Sequence, residues 1–139
     1  MITSAPKSHQ HQSINPNWSH DRLQQECFQF LWNTYPQIRR TFFHSPNEFP
    51  RQRGMTQREH TIILSQRKAI GVLPGVIDLV WYYKGVLYMF DIKLGKDSLS
   101  DAQKDFISAM VAQGGVFQEI SSLDQFKSIV NSIMQEAKQ

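Results

Sequence analysis

The sequence contains a single cysteine and no apolar run long enough to cross a membrane. One cysteine cannot form an internal disulfide, and Cys27 falls on the apolar side of a predicted helix, so we interpret it as a packed thiol in a reducing compartment. The N-terminal segment "MITSAPKSHQHQSINPN" lacks the apolar stretch of a signal peptide. These absences predict a cytoplasmic protein with no membrane partner.

The chain also has little excess of one charge. Lys and Arg number 15 against 12 for Asp and Glu, a net charge of +3 over 139 residues. This mildly basic balance favours an acidic partner such as nucleic acid, although many unrelated proteins share it. The length suits one hydrophobic core. We therefore predict a flexible, polar tail over residues 1–17 and a single domain over residues 18–139.

Helix and strand signals alternate along that domain. Ser19 is a good N-cap and Pro36 forbids continuation, so they bound the first helix, and "TFFH" at 41–44 indicates a short strand. Further helices open at Thr56, Ser100 and Ser122. Two strands flank Lys84 and Gly85, and "VFQEI" is a fourth. The predicted class is α/β, with a mixed four-stranded sheet flanked by helices.

The most apolar segment, "VIDLVWYYKGVLYMFDIKL" at 76–94, carries two acids and a lysine. Lys84 and Gly85 suit a two-residue hairpin turn, which pairs Tyr83 with Val86 and continues to pair Asp78 with Asp91. Directly opposed residues share a face of the sheet, where like charges are destabilising. The hairpin therefore predicts two carboxylates as cross-strand neighbours that need neutralising.

Lys93 lies two residues after Asp91, so strand alternation places both side chains on one face. One lysine beside two buried acids leaves net negative charge, which points to a divalent cation or a raised pKa. A structural ion pair between Lys93 and one aspartate explains the same residues equally well. The pairing alone leaves both interpretations open.

These residues resemble the signature of the PD-(D/E)XK nuclease superfamily, here Asp78 followed by "DIK" at 91–93. The wider pattern "GVLPGVIDLV", "VLYMFDIKLGKDSLSDAQKDF" and "SSLDQF" resembles the VRR-NUC family, the virus-type replication and repair nucleases, over residues 41–130. Two departures are Ile77, where the family usually has proline, and Asp91, where it more often has glutamate. The resemblance implies a restriction-endonuclease-like core.

The resemblance also implies roles for the residues of the motif. Asp78 and Asp91 would bind Mg²⁺ or Mn²⁺ together with the main-chain carbonyl of Ile92, and Lys93 would orient or activate the attacking water. Carboxylates holding such a cation supply both a nucleophile near neutral pH and relief of charge in the transition state. A catalytic lysine adds fixed positive charge beside the water.

Two further catalytic residues are implied outside the hairpin. Glu26 matches the acidic residue of the family's first helix and would be a metal ligand, although it could simply pair with a basic neighbour. Gln103 matches the glutamine of the family's "LSxxQ" helix start, but a capping box with Ser100 also accounts for it. His44 and Asn47 resemble a loop of the family, and we assign them no role because such residues are ordinary in turns.

The predicted function is a Mg²⁺- or Mn²⁺-dependent endodeoxyribonuclease that selects DNA structure, resembling a Holliday-junction resolvase and acting as a homodimer. The alternatives are a nuclease for flaps or other branched DNA, and a non-catalytic nucleic-acid-binding module. Such an enzyme would act in a bacterial or virus-infected cytoplasm, with nucleoid association as an alternative. Basic residues that could hold the DNA backbone are Arg51, Arg53, Lys96 and Lys104, although a solvated basic surface explains them too.

Overall fold

A computed structural model describes residues 17–45, 50–72 and 77–136, so the predicted tail, except for Asn17, lies outside the described residues. The helices of the described chain do not combine the length and apolarity needed to span a bilayer. In chain order the elements are α1 (His20–Thr34), a 3-10 helix (Pro36–Thr41), β1 (Phe42–His44), α2 (Gln57–Ala69), β2 (Leu79–Tyr83), β3 (Val86–Ile92), α3 (Asp101–Ala112), β4 (Val116–Ile120) and α4 (Leu123–Glu136).

The four strands form one mixed sheet in the order β1-β2-β3-β4. β1 pairs with β2 and β2 with β3 in antiparallel directions, whereas β3 and β4 run parallel. The parallel pair needs a crossover, which α3 provides. The predicted α/β class and mixed four-stranded sheet are confirmed.

The β2–β3 hairpin has the predicted register. Tyr83 pairs with Val86, and the ladder continues to Leu79 and Phe90. Lys84 and Gly85 both have positive φ, 51° and 82°, which is the conformation of a type I′ turn that matches the strand twist. The next step beyond Leu79 and Phe90 places Asp78 opposite Asp91.

One face of the sheet packs on α1 and α4. Burying a large apolar side chain is worth about 1.5–3 kcal/mol relative to exposing it, so this layer carries most of the core. Cys27 is fully buried there, as predicted, and burial together with the charge of Glu26 raises the pKa of its thiol to about 12. The buried residues of the layer include Leu23, Leu31, Trp81, Phe90, Ile92, Ile120, Phe126 and Val130.

The opposite face of the sheet carries Asp91 and receives α3. The corner between α3 and β4 depends on Gly115, because a Cβ at that position would lie 2.9 Å from the main-chain oxygen of Met110. Real Cβ atoms do not approach backbone that closely, so only glycine lets β4 return directly beneath the helix. This close return fixes α3, and with it Gln103, above the carboxyl end of β3.

The segment between α1 and β1 differs from the sequence-based expectation. The predicted strand at 41–44 begins one residue later, because Thr41 completes the 3-10 helix and its hydroxyl donates to the carbonyl of Ile38 at 3.1 Å. Pro36 starts that helix at a position where a missing N–H costs nothing. The buried Ile38 anchors the short helix to the core.

Candidate functional site

Asp78 and Asp91 lie together at the open end of the β2–β3 hairpin. Asp78 directly precedes β2, and its main-chain N–H donates to Oδ1 of Asp91 at 3.3 Å. Asp91, inside β3, is only 1% exposed, whereas the Asp78 side chain is 20% exposed. One buried carboxylate therefore stands beside one that solvent and a ligand can reach.

Three separate parts of the chain hold Asp78 in place. Its Oδ2 accepts a hydrogen bond from the main-chain N–H of Ile92 at 2.9 Å and lies 3.0 Å from Nε2 of His20, at the start of α1. Its carbonyl accepts from the N–H of Ser45 at 3.4 Å and contacts Nδ1 of His44. An ionised carboxylate can only accept, so His20 donates in this contact.

Lys93 lies on the same side of β3 as Asp91, as strand alternation predicted. Its Nζ is 3.1 Å from Oδ2 of Asp91 and donates to Oε1 of Gln103 at 3.3 Å. The side-chain amide of Gln103 is 3.4 Å from both oxygens of Asp91. The side chain of Lys93 is 16% exposed, so this three-residue contact is largely shielded from water.

The buried carboxylate is electrostatically costly. Burial, followed by the charge of Asp78, raises the pKa of Asp91, and the hydrogen bond and charge of Lys93 only partly lower it again. Lys93 balances one of the two carboxylate charges. The remaining negative charge favours a further cation near this pair.

The donor atoms fit a hard divalent cation. Asp78 and Asp91 offer carboxylate oxygens, which Mg²⁺ and Mn²⁺ prefer over nitrogen or sulfur. Within ranges 17–45, 50–72 and 77–136, no three His, Cys, Asp or Glu side chains converge at metal-binding spacing. Mg²⁺ commonly uses just one or two carboxylates and completes its shell with water and substrate oxygens. The carbonyl of Ile92 remains a predicted third protein ligand.

Glu26 is placed on α1 but is not brought into contact with the two aspartates. Its carboxylate accepts a hydrogen bond from Nε of Arg22 at 2.8 Å, one helical turn earlier. No hydrogen bond or ion pair among the described residues links it to Asp78 or Asp91. This is the pairing with a basic neighbour that the sequence left open, and the role of Glu26 as a metal ligand remains a prediction.

His20 is the residue of this cluster that the sequence did not predict. It occupies the first position of α1 and meets Asp78 across 58 residues of sequence. No local motif indicates that contact, because it depends on how α1 packs against the end of the sheet. Of His44 and Asn47, which resemble a loop of the family, the structure describes only His44.

The predicted DNA-contacting residues are all exposed, namely Arg51, Arg53, Lys96 and Lys104. Lys96 follows β3, which carries Asp91, and Lys104 directly follows Gln103, whose side chain contacts Asp91. Arg51 and Arg53 precede α2, and no contact among the described residues joins them to the site. Their role in binding DNA remains a prediction.

The fold of this chain is similar to that of a solved structure. A solved structure described as a "VRR_NUC domain protein" matches with a TM-score of 0.64, covering 84% of this chain and 88% of that chain. The chain has the VRR_NUC fold. The identity is 17%, so the likeness concerns the fold and not the roles of individual residues. No family model and no curated protein sequence matches the chain.

Within the VRR_NUC fold, Gln103 has two structural functions that mutation can separate. It forms the capping box of α3, in which Ser100 N–H donates to Oε1 at 3.0 Å and Gln103 N–H donates to Ser100 Oγ at 3.1 Å. The same Oε1 accepts from Lys93. Ser100→Ala breaks only half of the cap, whereas Gln103→Ala also releases Lys93 and Asp91.

We expect Ser100→Ala to lower the free energy of unfolding by about 1 kcal/mol. Gln103→Ala should lose more stability than Ser100→Ala, because it also removes the contacts with Lys93 and Asp91. For the nuclease proposed below, Gln103→Ala should in addition reduce cleavage by about 10- to 100-fold, the usual effect of removing a residue that orients a metal ligand, whereas Ser100→Ala should leave cleavage within about twofold of wild type. Urea unfolding and cleavage assays on both variants measure the two effects. Equal cleavage by the two variants would show that Gln103 only caps the helix.

Proposed function

We propose that this chain is a divalent-cation-dependent DNA endonuclease that hydrolyses phosphodiester bonds. The observation that carries the proposal is the shielded cluster of Asp78, Asp91, Lys93 and Gln103 at the end of the hairpin, within a VRR_NUC fold. A buried carboxylate with a raised pKa beside a second carboxylate is an expensive arrangement, and such arrangements concentrate at functional sites. Mg²⁺ or Mn²⁺ held by the two aspartates would lower the pKa of a water molecule and stabilise charge on the phosphate.

The side chains of Asp78 and Lys93 have different roles in the proposed reaction. Asp78 is positioned by Ile92 N–H and His20, which leave its more exposed side facing solvent and the approaching phosphate. Lys93 is held by Asp91 and Gln103, so its ammonium charge is fixed before substrate arrives. Water contributes its oxygen to phosphorus, the bond from phosphorus to one bridging oxygen breaks, and that oxygen takes up a proton. Lys93 would orient this water and offset the charge that develops.

We further propose that DNA shape, not base sequence, selects the substrate. Shape recognition works through the phosphate backbone, for which exposed basic groups such as Lys96 and Lys104 are suited. A four-way junction has two equivalent strands to cut, so a Holliday-junction resolvase needs two active sites and therefore a homodimer. A nuclease for flaps or other branched DNA would need only one.

A non-catalytic nucleic-acid-binding module is the second candidate. The observation that favours it is the completeness of the contacts in the cluster, since Asp91 and Lys93 satisfy each other and Asp78 has two donors. Such a network could hold the sheet end together with no cation. The nuclease would cut the DNA that it binds, whereas the non-catalytic module would bind DNA and leave it intact.

The discriminating experiment incubates the protein with labelled four-way-junction, flap, duplex and single-stranded DNA, with EDTA, Mg²⁺ or Mn²⁺. We expect cleavage of branched DNA only with a metal, and its loss in Asp78→Asn. Asp105→Asn, an exposed acid on α3, is the matched control and should cut normally. Binding without cleavage in both metals would support the non-catalytic module. A solution mass near 32 kDa, twice the 16.2 kDa chain, would support the dimer.

A further inference from the structure

A cleft of about 500 Å³ opens beside the carboxylate cluster. It lies between one side of α1, the 3-10 helix and β1. Clefts of this size commonly bind small organic groups. Its walls combine aromatic rings with basic and amide groups, including Phe28, Trp32, Phe43, Gln24, Arg39 and Arg40.

The cleft is connected to the proposed catalytic site through residues that contact or adjoin Asp78 and His20. Leu79, which lines it, directly follows Asp78, and His44, which also lines it, contacts the Asp78 carbonyl. On the helix side, Asp21 lines the cleft next to His20, which holds the Asp78 carboxylate. A substrate whose phosphate reaches Asp78 from the side of α1 and His20 would bring its neighbouring nucleotide toward the cleft.

The aromatic wall is fixed by its own contacts. The ring of Phe28 stacks on Trp32 with centroids 5.2 Å apart and on Phe42 at 4.9 Å. Arg39 donates from Nε to the Trp32 carbonyl at 2.9 Å, and its guanidinium lies 5.4 Å from the Trp32 ring centroid. Phe43, on β1, also lines the cleft and is 48% exposed, so its ring is accessible to a ligand.

We propose that this cleft binds an unpaired nucleobase of the DNA substrate, next to the phosphate that is cut. A flat base can stack on an aromatic ring whatever its identity, and glutamine amides can pair with its polar edge. Arg39 and Arg40 outnumber Asp21 at the cleft, which suits the attached phosphates. The inference rests on the proposed nuclease function, and it adds that the enzyme prefers DNA with unpaired nucleotides at the branch.

A fluorescent base analogue tests the cleft without any cleavage. We would place 2-aminopurine at an unpaired position of a branched DNA and measure its fluorescence with EDTA present, since stacking on an aromatic ring quenches it. Wild type should quench the unpaired probe and leave a fully paired probe unchanged. Phe43→Ala should weaken binding of the unpaired DNA by about tenfold.

Tyr82→Ala is the matched control, because Tyr82 is a sheet aromatic of similar exposure, 53%, near the hairpin turn. It should bind like wild type. If Phe43→Ala does not fold, Arg40→Glu, a change at an exposed position of the cleft, tests the same binding of unpaired DNA. Equal quenching of paired and unpaired probes, or equal affinity for Phe43→Ala, Arg40→Glu and Tyr82→Ala, would overturn the proposal.

Failure of the cleft and failure of the nuclease give different results. Quenching that depends on Phe43, from a protein that cuts no DNA, would keep the cleft and reject the nuclease. Equal cutting of fully paired and gapped DNA by wild type and Phe43→Ala would keep the nuclease and reject the cleft.

Discussion

Asp91→Asn is expected to reduce DNA cleavage by at least about a hundredfold while leaving the fold intact. Asparagine keeps the shape and one oxygen, but it removes the charge that a divalent cation needs. The side chain is 1% exposed and contacts both Lys93 and Gln103, so bulk water cannot take its place. Initial rates on labelled branched DNA measure the effect, and Asp105→Asn is again the control.

The same variant separates metal binding from catalysis. A cation that binds only the folded wild type at one hundred times its dissociation constant stabilises it by about 2.7 kcal/mol, so Mg²⁺ or Mn²⁺ should raise the melting temperature of wild type and of Asp105→Asn. The melting temperature of Asp91→Asn should not respond. A cation-induced rise of equal size in Asp91→Asn would show that the ion binds elsewhere.

Without metal, the raised pKa of Asp91 gives a pH signature. Below the ordinary aspartate pKa of 3.8 the carboxyl is protonated in both the folded and unfolded states, so its raised pKa does not change the free energy of unfolding. As the pH rises through the higher pKa of Asp91 in the folded state, ionisation of its carboxyl lowers the free energy of unfolding. In EDTA, Asp91→Asn should therefore gain stability relative to wild type as pH increases from 4 to 7.5. Urea unfolding at several pH values measures this difference, and a difference independent of pH would contradict the assigned cause.

The hairpin shows how much of the fold local sequence can determine. Two residues, Lys84 and Gly85, set the turn, and the turn sets every pair down the ladder to Leu79 and Phe90. Strand alternation then places Lys93 beside Asp91. These relations need no knowledge of the rest of the chain, so they could be predicted before the structure was known.

Contacts between distant segments could not be predicted in this way. The position of His20 depends on how α1 packs on the sheet, and the cleft depends in addition on the 3-10 helix, which the sequence did not indicate. The partner of Glu26 could not be predicted from the sequence either. The sequence left open whether Glu26 binds a metal or pairs with a basic neighbour, and the packing of α1 determines that its carboxylate contacts Arg22.

Lys93→Met should destabilise the metal-free protein at pH 7 by about 3 kcal/mol, since removing one partner of a buried ion pair leaves the other uncompensated. Methionine preserves much of the apolar stem but not the charge that faces Asp91 at 3.1 Å. Cleavage should fall by about 10²- to 10³-fold as well. Lys68→Met is the matched control, because that lysine is exposed on α2 and has no proposed role at the site, so the change should affect stability and cleavage little.

Combining Lys93→Met with Asp91→Asn distinguishes the electrostatic cause from simple loss of packing. If the uncompensated carboxylate is what destabilises Lys93→Met, the double variant should return to within about 1 kcal/mol of wild type, because no buried charge then remains at position 91. Cleavage should not return, since neither the cation ligand nor the fixed ammonium is restored. Lowering the pH should have the same effect on Lys93→Met as the second substitution, because protonation also removes the charge of Asp91. A double variant as unstable as Lys93→Met alone would mean that packing around the lysine stem, and not the charge pair, holds this end of the sheet together.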